Sequence, residues 1–431
     1  MFRWARSVDP GRLALIVVAL VCGSTQAWLV AGESWPQWGG PARDFRSATP
    51  SAAMIVTAWP VGGPRQLWRR DLGAGYSSIV SDGNLIFTMF RNDDAEEVVI
   101  ALDPSTGKTI WKQSYAAPVF PDQAKDFGKG PNATPLIVGQ RIYTVGFTSK
   151  LHCLDARSGR PIWSHDLVRD YAGQVQEFGY APSPIRYGEM VVVLVGGKQH
   201  GAIGFDLADG SVRWSTPPLD FSYASPVIVD LDGEDQLVFM TPTEVIGVAL
   251  SDGQVRWRHT HANKYKSNCQ GPWPGDDDLL FVSSQADAGS RTLRLSRSEG
   301  ATRVEQVARH ERIRFFYSNV IRIGDYVYGA SDSTLVAHNI RTGKDAWREP
   351  GYPAANLVHA GELTIVLDET GKLSLVTMTE AGLDVLASHP LLEQPARTVP
   401  TLLGSKLYLR DSASIVALDL AAPRTKAADR P

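Results

Sequence analysis

The amino-acid sequence predicts an all-β fold, an eight-bladed β-propeller of four-stranded blades that is closed by pairing of its N- and C-terminal strands. Three observations lead to this prediction: a thirteen-residue phrase returns along the chain, a glycine turn precedes eight β runs, and one copy of the phrase is divided between the two ends. Repeats with a period of about 40 to 50 residues are typical of propellers and solenoids. The 431 residues are therefore interpreted as one repeated domain.

The repeated phrase has the residues of a β-hairpin. In its first copy, VIALDPSTGKTIW at residues 99–111, an apolar strand ends at Leu102, Asp103 can cap the following turn, and Gly107 suits a residue with positive φ. Two degenerate copies contain Gly300 and Gly382. Four further complete copies, each with a glycine four residues before a tryptophan, end at Trp163, Trp214, Trp257 and Trp347.

The eighth copy is split between the two ends of the chain. SIVALDL at residues 414–420 has the first strand but no tryptophan, whereas RQLWRRDL at residues 65–72 has Trp68 but no first strand. We therefore expect the C-terminal strand to pair with the N-terminal strand in one composite blade. Such a blade would close the ring by hydrogen bonds between the chain ends.

A second series of turns gives the same number of blades. A glycine followed by an apolar or aromatic β run predicts the hairpin between the two inner strands of a blade. Eight glycines have this setting: Gly83, Gly139, Gly188, Gly233, Gly275, Gly324, Gly361 and Gly404.

Half of the twelve tryptophans follow the repeat. A buried tryptophan contributes a large apolar area, and its indole N–H needs an acceptor. Because of their regular spacing, we interpret these tryptophans as docking residues between blades and not as rings that stack on a cofactor. They are Trp68, Trp111, Trp163, Trp214, Trp257 and Trp347.

Residues 1–27 have the pattern of a secretory signal peptide, with arginines before the short apolar stretch LALIVVALVCG. The chain is therefore expected to be exported, periplasmic or associated with the cell envelope. No later segment approaches the roughly 20 apolar residues of a membrane span, so no span is expected after cleavage. Cys22 follows Val21 where a lipid-modification motif has Gly or Ala. Lipidation and an uncleaved anchor are the alternatives to cleavage.

Residues 28–64 are predicted to form an N-terminal arm rich in Trp, Pro and Gly, which contains the segment WPQWGGP. Trp35 and Trp38 either pack against the underside of the propeller, which we favour, or gate a ligand or bind a partner. The propeller is assigned to residues 65–420 and a flexible tail to residues 421–431.

The charge is balanced, with 43 basic and 46 acidic residues and a net charge of −3. No basic field indicates nucleic-acid binding, and we expect a monomer. After signal cleavage two cysteines, Cys153 and Cys269, remain in different repeats and are expected to be separate thiols.

Polar and aromatic residues just before each inner strand are expected to line the mouth of the central channel, where propellers bind ligands. They could bind a small polar ligand or a peptide, or they could fill a narrow channel and satisfy strand ends. No nucleophile motif is present, so no catalytic residue is predicted. The candidate residues are Tyr76, Asn132, Tyr180, Tyr223, Tyr317, Asn319 and Arg397.

One segment has the alternating oxygens of some calcium loops. Asp230, Asp232 and Asp235 surround Gly233. The same residues occupy the ordinary turn position of their repeat and lack a downstream bidentate carboxylate. A metal site there is thus the weaker of two interpretations.

The residues Ala101, Asp103, Thr106-Gly107-Lys108 and Trp111 resemble the tryptophan-docking motif of the PQQ-like (quinoprotein) β-propeller repeat family. The resemblance covers roughly residues 65–420 and implies the propeller. The family includes quinoprotein dehydrogenases, which hold pyrroloquinoline quinone (PQQ) against a disulfide of adjacent cysteines and near calcium. It also includes BamB-like non-catalytic members.

No adjacent cysteines occur in this sequence. The resemblance therefore implies an exported, non-enzymatic scaffold in the cell envelope that binds a protein partner or a ligand, with no cofactor. The alternative that it implies is a PQQ- and calcium-dependent dehydrogenase oxidising an alcohol or sugar.

Overall fold

The computed structural model describes residues 33–47, 54–92, 95–119, 127–275, 277–393 and 395–421. The predicted signal peptide and residues 422–431 of the predicted tail lie outside these ranges. The described residues all fall in one compact unit, residues 32–431. Their only α-helix is α1 (Leu167–Tyr171), and no helix in these ranges is long and apolar enough to cross a membrane.

The strands form eight four-stranded antiparallel sheets, the blades of an eight-bladed propeller, as predicted. The first strand, β1 (Arg65–Asp71), belongs to the last blade. The strands of each blade are given from the innermost outward. Blade 1 contains β2 (Val80–Ser81), β3 (Ile86–Arg91), β4 (Glu96–Leu102) and β5 (Thr109–Ala116), and blade 2 contains β6 (Leu136–Val138), β7 (Arg141–Val145), β8 (Lys150–Asp155) and β9 (Pro161–Asp166). Blade 3 contains β10 (Ile185–Tyr187), β11 (Met190–Leu194), β12 (Ala202–Asp206) and β13 (Val212–Ser215), and blade 4 contains β14 (Val227–Leu231), β15 (Glu234–Met240), β16 (Glu244–Ala249) and β17 (Val255–Thr260).

The second half of the ring repeats this order. Blade 5 contains β18 (Trp273–Pro274), β19 (Leu279–Ser283), β20 (Ser290–Ser298) and β21 (Ala301–His310). Blade 6 contains β22 (Val320–Ile323), β23 (Tyr326–Ser331), β24 (Thr334–Asn339) and β25 (Asp345–Pro350). Blade 7 contains β26 (Asn356–Ala360), β27 (Leu363–Leu367), β28 (Lys372–Thr379) and β29 (Gly382–Pro390). Blade 8 contains β30 (Thr401–Leu403), β31 (Lys406–Arg410) and β32 (Ser414–Asp419), followed by β1.

The predicted ring closure is confirmed. β1 pairs with β32 in antiparallel register, from Arg65 opposite Asp419 to Asp71 opposite Ser414. The first strand of the domain is therefore the outermost strand of blade 8. The glycine turns are also confirmed, since each joins the first and second strands of its blade.

The repeated hairpin joins the third and fourth strands of a blade. In blade 1 the Asp103 carboxylate accepts hydrogen bonds from the backbone N–H groups of Ser105 (2.9 Å) and Thr106 (2.8 Å). Gly107 has a φ of +68°. The aspartate thus caps the turn and the glycine provides its left-handed residue, as the sequence indicates.

Each repeated glycine has a second role. A Cβ atom added at Gly159 of blade 2 would lie 2.4 Å from the ring of Trp111 of blade 1. Trp111 also donates its indole N–H to the carbonyl of Ala156 in blade 2, at 2.9 Å. The hairpin of one blade thereby forms the surface on which the indole of the preceding blade packs.

The same contact recurs around the ring with some variation. Glycines of the following blade contact Trp68 and Trp163 in the same way, and Trp347 donates to the Thr379 carbonyl of blade 7 at 2.7 Å. Trp257 instead donates to Gln236 of its own blade, at 2.9 Å. The indole N–H of Trp214 is buried and has no acceptor within the part of the chain that the structure describes.

Blades 5 and 7 have alanine at the tryptophan position. Ala308 lies opposite Thr292 at a β-bulge that matches the one at Trp111. Two residues later, the ring of His310 lies 3.4 Å from the Cβ position of Gly343 in blade 6. In blade 7, where Ala387 holds the equivalent position, a Cβ at Gly63 would lie 2.4 Å from His389. A histidine therefore takes the place of the indole in both blades.

We predict that Gly159→Ala destabilises the domain by about 1 to 3 kcal/mol more than Gly139→Ala, because only the first adds a methyl group against a packed ring. Both glycines lie in blade 2 with positive φ, +72° and +58°, but a Cβ at Gly139 has no atom within 4 Å. Their backbone strain is therefore similar. Urea unfolding followed by tryptophan fluorescence measures both changes, and equal costs would contradict a tight contact between blades.

The His310 contact is expected to make the stability of the propeller sensitive to acid. His310 is 4% exposed, and its Nε2 atom forms a hydrogen bond with Thr292 Oγ1 (2.9 Å). Its imidazole lies 4.6 Å from the imidazole of His338, which pairs with Asp345. Burial, with a smaller effect of His338, lowers the pKa of His310 to about 4, against the opposing effect of Asp345.

The unfolded chain binds a proton at His310 below pH 6.5 and the folded chain does not until about pH 4. We therefore predict that stability is lost as pH falls between these values, by up to about 3 kcal/mol from this residue. His310→Gln should flatten the decrease when urea unfolding is measured from pH 7 to pH 4.5. Parallel curves for the two proteins would refute the role of His310.

Candidate binding site at the channel mouth

The loops that lead into the innermost strands meet at one end of the channel, which we call the channel mouth. Four of the seven predicted residues, Tyr76, Tyr223, Tyr317 and Arg397, belong to one cluster there. The guanidinium carbon of Arg397 lies 5.2 Å from the ring centre of Tyr317 and 5.9 Å from that of Tyr76. Its Nε donates to the Glu369 carboxylate at 2.6 Å, so the cation is both paired and covered by rings.

Two phenylalanines that the sequence analysis missed complete the cluster. Phe127 lies 5.1 Å from Phe178, 6.3 Å from Tyr317 and 6.0 Å from Arg397, and Phe178 lies 5.8 Å from Tyr223. These half-buried side chains come from loops between different blades. The cluster therefore extends across the mouth from one side of the ring to the other.

The other three predicted residues have different positions. Asn132 lies beside the cluster and donates to the Phe178 carbonyl at 3.2 Å. Tyr180 is 1% exposed, and its hydroxyl donates to the Leu194 carbonyl at 2.9 Å. Asn319 is buried between blades 6 and 7, where its Oδ1 accepts the Leu357 N–H at 2.7 Å. Tyr180 and Asn319 are thus corrected from rim residues to interior ones, because their polar groups are occupied by backbone partners.

A buried ion pair holds the loop that carries Phe127. Arg91 and Glu97 are 3% and 0% exposed and lie 2.9 Å apart. Arg91 also donates to the carbonyls of Ala117 (2.8 Å) and Lys129 (2.6 Å), which flank the loop. One guanidinium therefore joins both ends of the Phe127 loop.

The Glu97 carboxylate is fully used in this network. It accepts hydrogen bonds from the Tyr115 hydroxyl at 2.7 Å and from the Phe147 N–H of blade 2 at 2.9 Å. Burial raises the pKa of Glu97, against the lowering effect of the Arg91 charge. The pair thus connects blade 1, blade 2 and the mouth.

The acidic segment of blade 4 forms a tight turn between β14 and β15. Asp230 Oδ1 accepts the Gly233 N–H at 2.9 Å, Asp232 has a φ of +51°, and Asp235 lies opposite Asp230 in the strand pair. Throughout the described ranges, no group of three or more His, Cys, Asp or Glu side chains has a metal-binding arrangement. The turn interpretation accounts for this geometry, and calcium binding stays a prediction.

Both described cysteines are free, as expected. Cys153 is buried, whereas Cys269 is half-buried. Burial raises the pKa of each thiol to about 11.

The N-terminal arm enters the channel from the end opposite the mouth. Trp35 forms backbone hydrogen bonds with Ser81 of blade 1, and the Phe45 carbonyl accepts the His359 N–H of blade 7 at 3.0 Å. Trp35 is 3% exposed and packs in an apolar cluster with blades 7 and 8. Trp38 lies edge-on to Phe45, with ring centres 4.8 Å apart. These contacts agree with the packing interpretation of the two tryptophans.

Comparison with known proteins gives one family and one fold. The family described as outer membrane protein assembly factor BamB matches residues 95–349. BamB of Aliivibrio fischeri is 37% identical over 62 residues, which are 14% of this chain and 16% of that protein. The chain thus matches less than a fifth of the length of this relative.

Two solved structures share the propeller. BamB from Moraxella catarrhalis has a TM-score of 0.56 at 16% identity, over 82% of this chain and 99% of that one. Quinohemoprotein alcohol dehydrogenase from Comamonas testosteroni has a TM-score of 0.61 at 11% identity, over 92% and 82%. At these identities the likeness concerns the fold alone.

We predict that Glu97→Gln lowers the free energy of unfolding by about 3 kcal/mol or more, because it leaves the buried Arg91 charge uncompensated. The control is Glu244→Gln, which removes the partner of the more exposed Arg258 (2.8 Å) and should cost less than about 1 kcal/mol. Similar losses in the two variants would argue against the role of the buried pair.

Proposed function

The chain belongs to the family described as outer membrane protein assembly factor BamB, and we propose that it acts in the cell envelope as a non-enzymatic scaffold that binds a protein partner. The partner, by analogy with this family, is a component of outer-membrane protein assembly. Export through the predicted signal peptide at residues 1–27 would place the chain in the same compartment as that partner.

The composition of the channel mouth is the observation that carries the proposal. Aromatic side chains and arginine are the residue types that contribute most binding energy at protein interfaces. Here Phe127 contacts both Phe178 and Tyr317, the rings of Phe127 and Tyr317 lie beside Arg397, and Glu369 fixes the guanidinium. Since the ring contacts and the Arg397–Glu369 pair restrict these side chains, less conformational entropy would be lost on binding than for side chains without partners. The mouth is therefore better suited to bind a peptide segment of a partner than to enclose a small molecule.

The dehydrogenase alternative requires a place for a planar quinone. A planar ring between two aromatic rings needs a separation of about 7 Å, two van der Waals distances. Phe127 lies 5.1 Å from Phe178 and 6.3 Å from Tyr317, and Cys153 and Cys269 lie in different parts of the ring as free thiols. The residues at the mouth do not fit the quinone as they are arranged, which favours the scaffold.

We predict that Phe127→Ala and Arg397→Ala each weaken binding to the partner tenfold or more, about 1.4 kcal/mol, because they remove central interface residues. The measurement is surface plasmon resonance with the full chain immobilised and a purified outer-membrane barrel-assembly protein of the same organism in solution. Ile110→Ala and Val385→Ala, on exposed outer strands, are the controls and should keep the wild-type affinity.

Two results would contradict the proposal. The first is an absence of binding, or equal losses in the mouth variants and the controls. The second is an absorbance shift together with dye-linked oxidation of an alcohol or sugar after addition of PQQ and calcium, which would favour the dehydrogenase.

A further inference from the structure

A cavity of about 700 Å³ lies between the N-terminal arm and blades 3 to 6. Its volume is within the range of small-molecule sites. Each of these blades contributes an apolar residue to the wall, namely Ile185, Ile228, Trp273 and Val320, and the arm contributes Trp38. Charged side chains, among them Arg186 and Asp277, lie beside these residues, so the wall combines an apolar surface with polar groups and suits an amphipathic small organic ligand.

Arg43 of the arm is one of the charged residues that line this cavity. Its Nη1 donates to the Gln37 side chain and the Pro184 carbonyl, both at 3.3 Å, and its Nη2 donates to the Pro226 carbonyl at 3.0 Å. All three acceptors are neutral. The Nε atom is shielded from solvent and has no acceptor among the described residues. Within the described part of the chain, the half-buried guanidinium thus has no carboxylate partner.

The acidic residues of the cavity wall are engaged elsewhere. Asp277 pairs with Arg322 and Arg341, each at 2.6 Å, and Asp325 pairs with Arg341 at 2.6 Å. Asp44 accepts the backbone N–H of Arg46 at 3.0 Å. The charge of Arg43 is therefore not neutralised by the wall, and burial lowers the pKa of Arg43 to about 9.

The geometry of the guanidinium defines what could neutralise it. Nε–H and one hydrogen of Nη2 point from the same edge of an arginine, and this pair matches the two oxygens of a carboxylate. On Arg43, Nε is unpaired and Nη2 uses one of its two hydrogens on Pro226. Nε is shielded from solvent, so the hydrogen left for a ligand is the second one of Nη2, and a carboxylate that accepts it would compensate the charge of this half-buried guanidinium.

We propose that this cavity binds a small organic carboxylate, whose carboxylate group pairs with Arg43 and whose apolar body packs between Trp38, Trp273 and the aliphatic wall. An inorganic anion would satisfy Arg43 but not the apolar wall. This site is distinct from the channel mouth, and its occupancy does not depend on the protein partner proposed above.

The test is calorimetric titration of the full chain with acetate, hexanoate, benzoate and phenylpropionate. We expect hexanoate, benzoate or phenylpropionate to bind, and to bind at least tenfold more tightly than acetate or inorganic phosphate. The neutral amide of the best ligand should bind at least tenfold more weakly. The proposal is overturned if none of the four carboxylates binds, or if the amide or phosphate binds equally well.

Variants locate the site. Arg43→Gln should weaken binding of the best carboxylate at least tenfold, whereas Arg65→Gln, which removes an exposed charge outside the cavity, should change it less than twofold. Equal losses would indicate general attraction and overturn the proposal. If Arg43→Gln does not fold, Ile228→Phe, which places a larger side chain in the cavity wall, provides the decision. Unchanged affinity in that folded variant would place the ligand elsewhere.

Discussion

The contact between a ring of one blade and a glycine of the next is the constraint on which the rest of the structure depends. A four-stranded blade cannot bury both of its faces alone, so the sheets are stable only when each packs on its neighbours. Trp111 on Gly159 shows how this is achieved, because only glycine allows both the left-handed turn and the approach of the indole. The same contact between Trp68 and Gly107 joins blade 8 to blade 1, so closure of the ring uses the contact that builds it.

The periodic features could be predicted from the sequence because they are local. A glycine and a tryptophan at fixed spacing, preceded in three copies by an aspartate, indicate a hairpin whatever surrounds it, and the eight glycine turns give the number of blades. The substitution of His310 for a tryptophan could not be predicted in this way. The position of His310 depends on the β-bulge that places Ala308 opposite Thr292. This bulge directs the His310 side chain, two residues later, toward Gly343.

The candidate site was predictable only in part, because its residues do not follow the repeat. Tyr180 and Tyr317 both precede an inner strand, yet one hydroxyl is bonded inside the core and the other ring lies at the mouth. Phe127 is placed by a loop whose ends are joined through Arg91, and Arg91 and Glu97 lie on paired strands of blade 1. In the sequence they are ordinary strand residues. Their role appears only when the strands and the loop are brought together.

The two ends of the channel differ in how their charges are neutralised. At the mouth, Arg397 has a carboxylate partner in Glu369, so the cluster is complete without a ligand and presents a formed surface. At the arm end, the partners of Arg43 among the described residues are all neutral and Arg43 adopts a positive φ of 59°, so the arm retains two unfavourable features. A carboxylate on Arg43 would remove one of them. Ligand binding and docking of the arm would then be thermodynamically linked, because a ligand that binds only the docked arm must stabilise it.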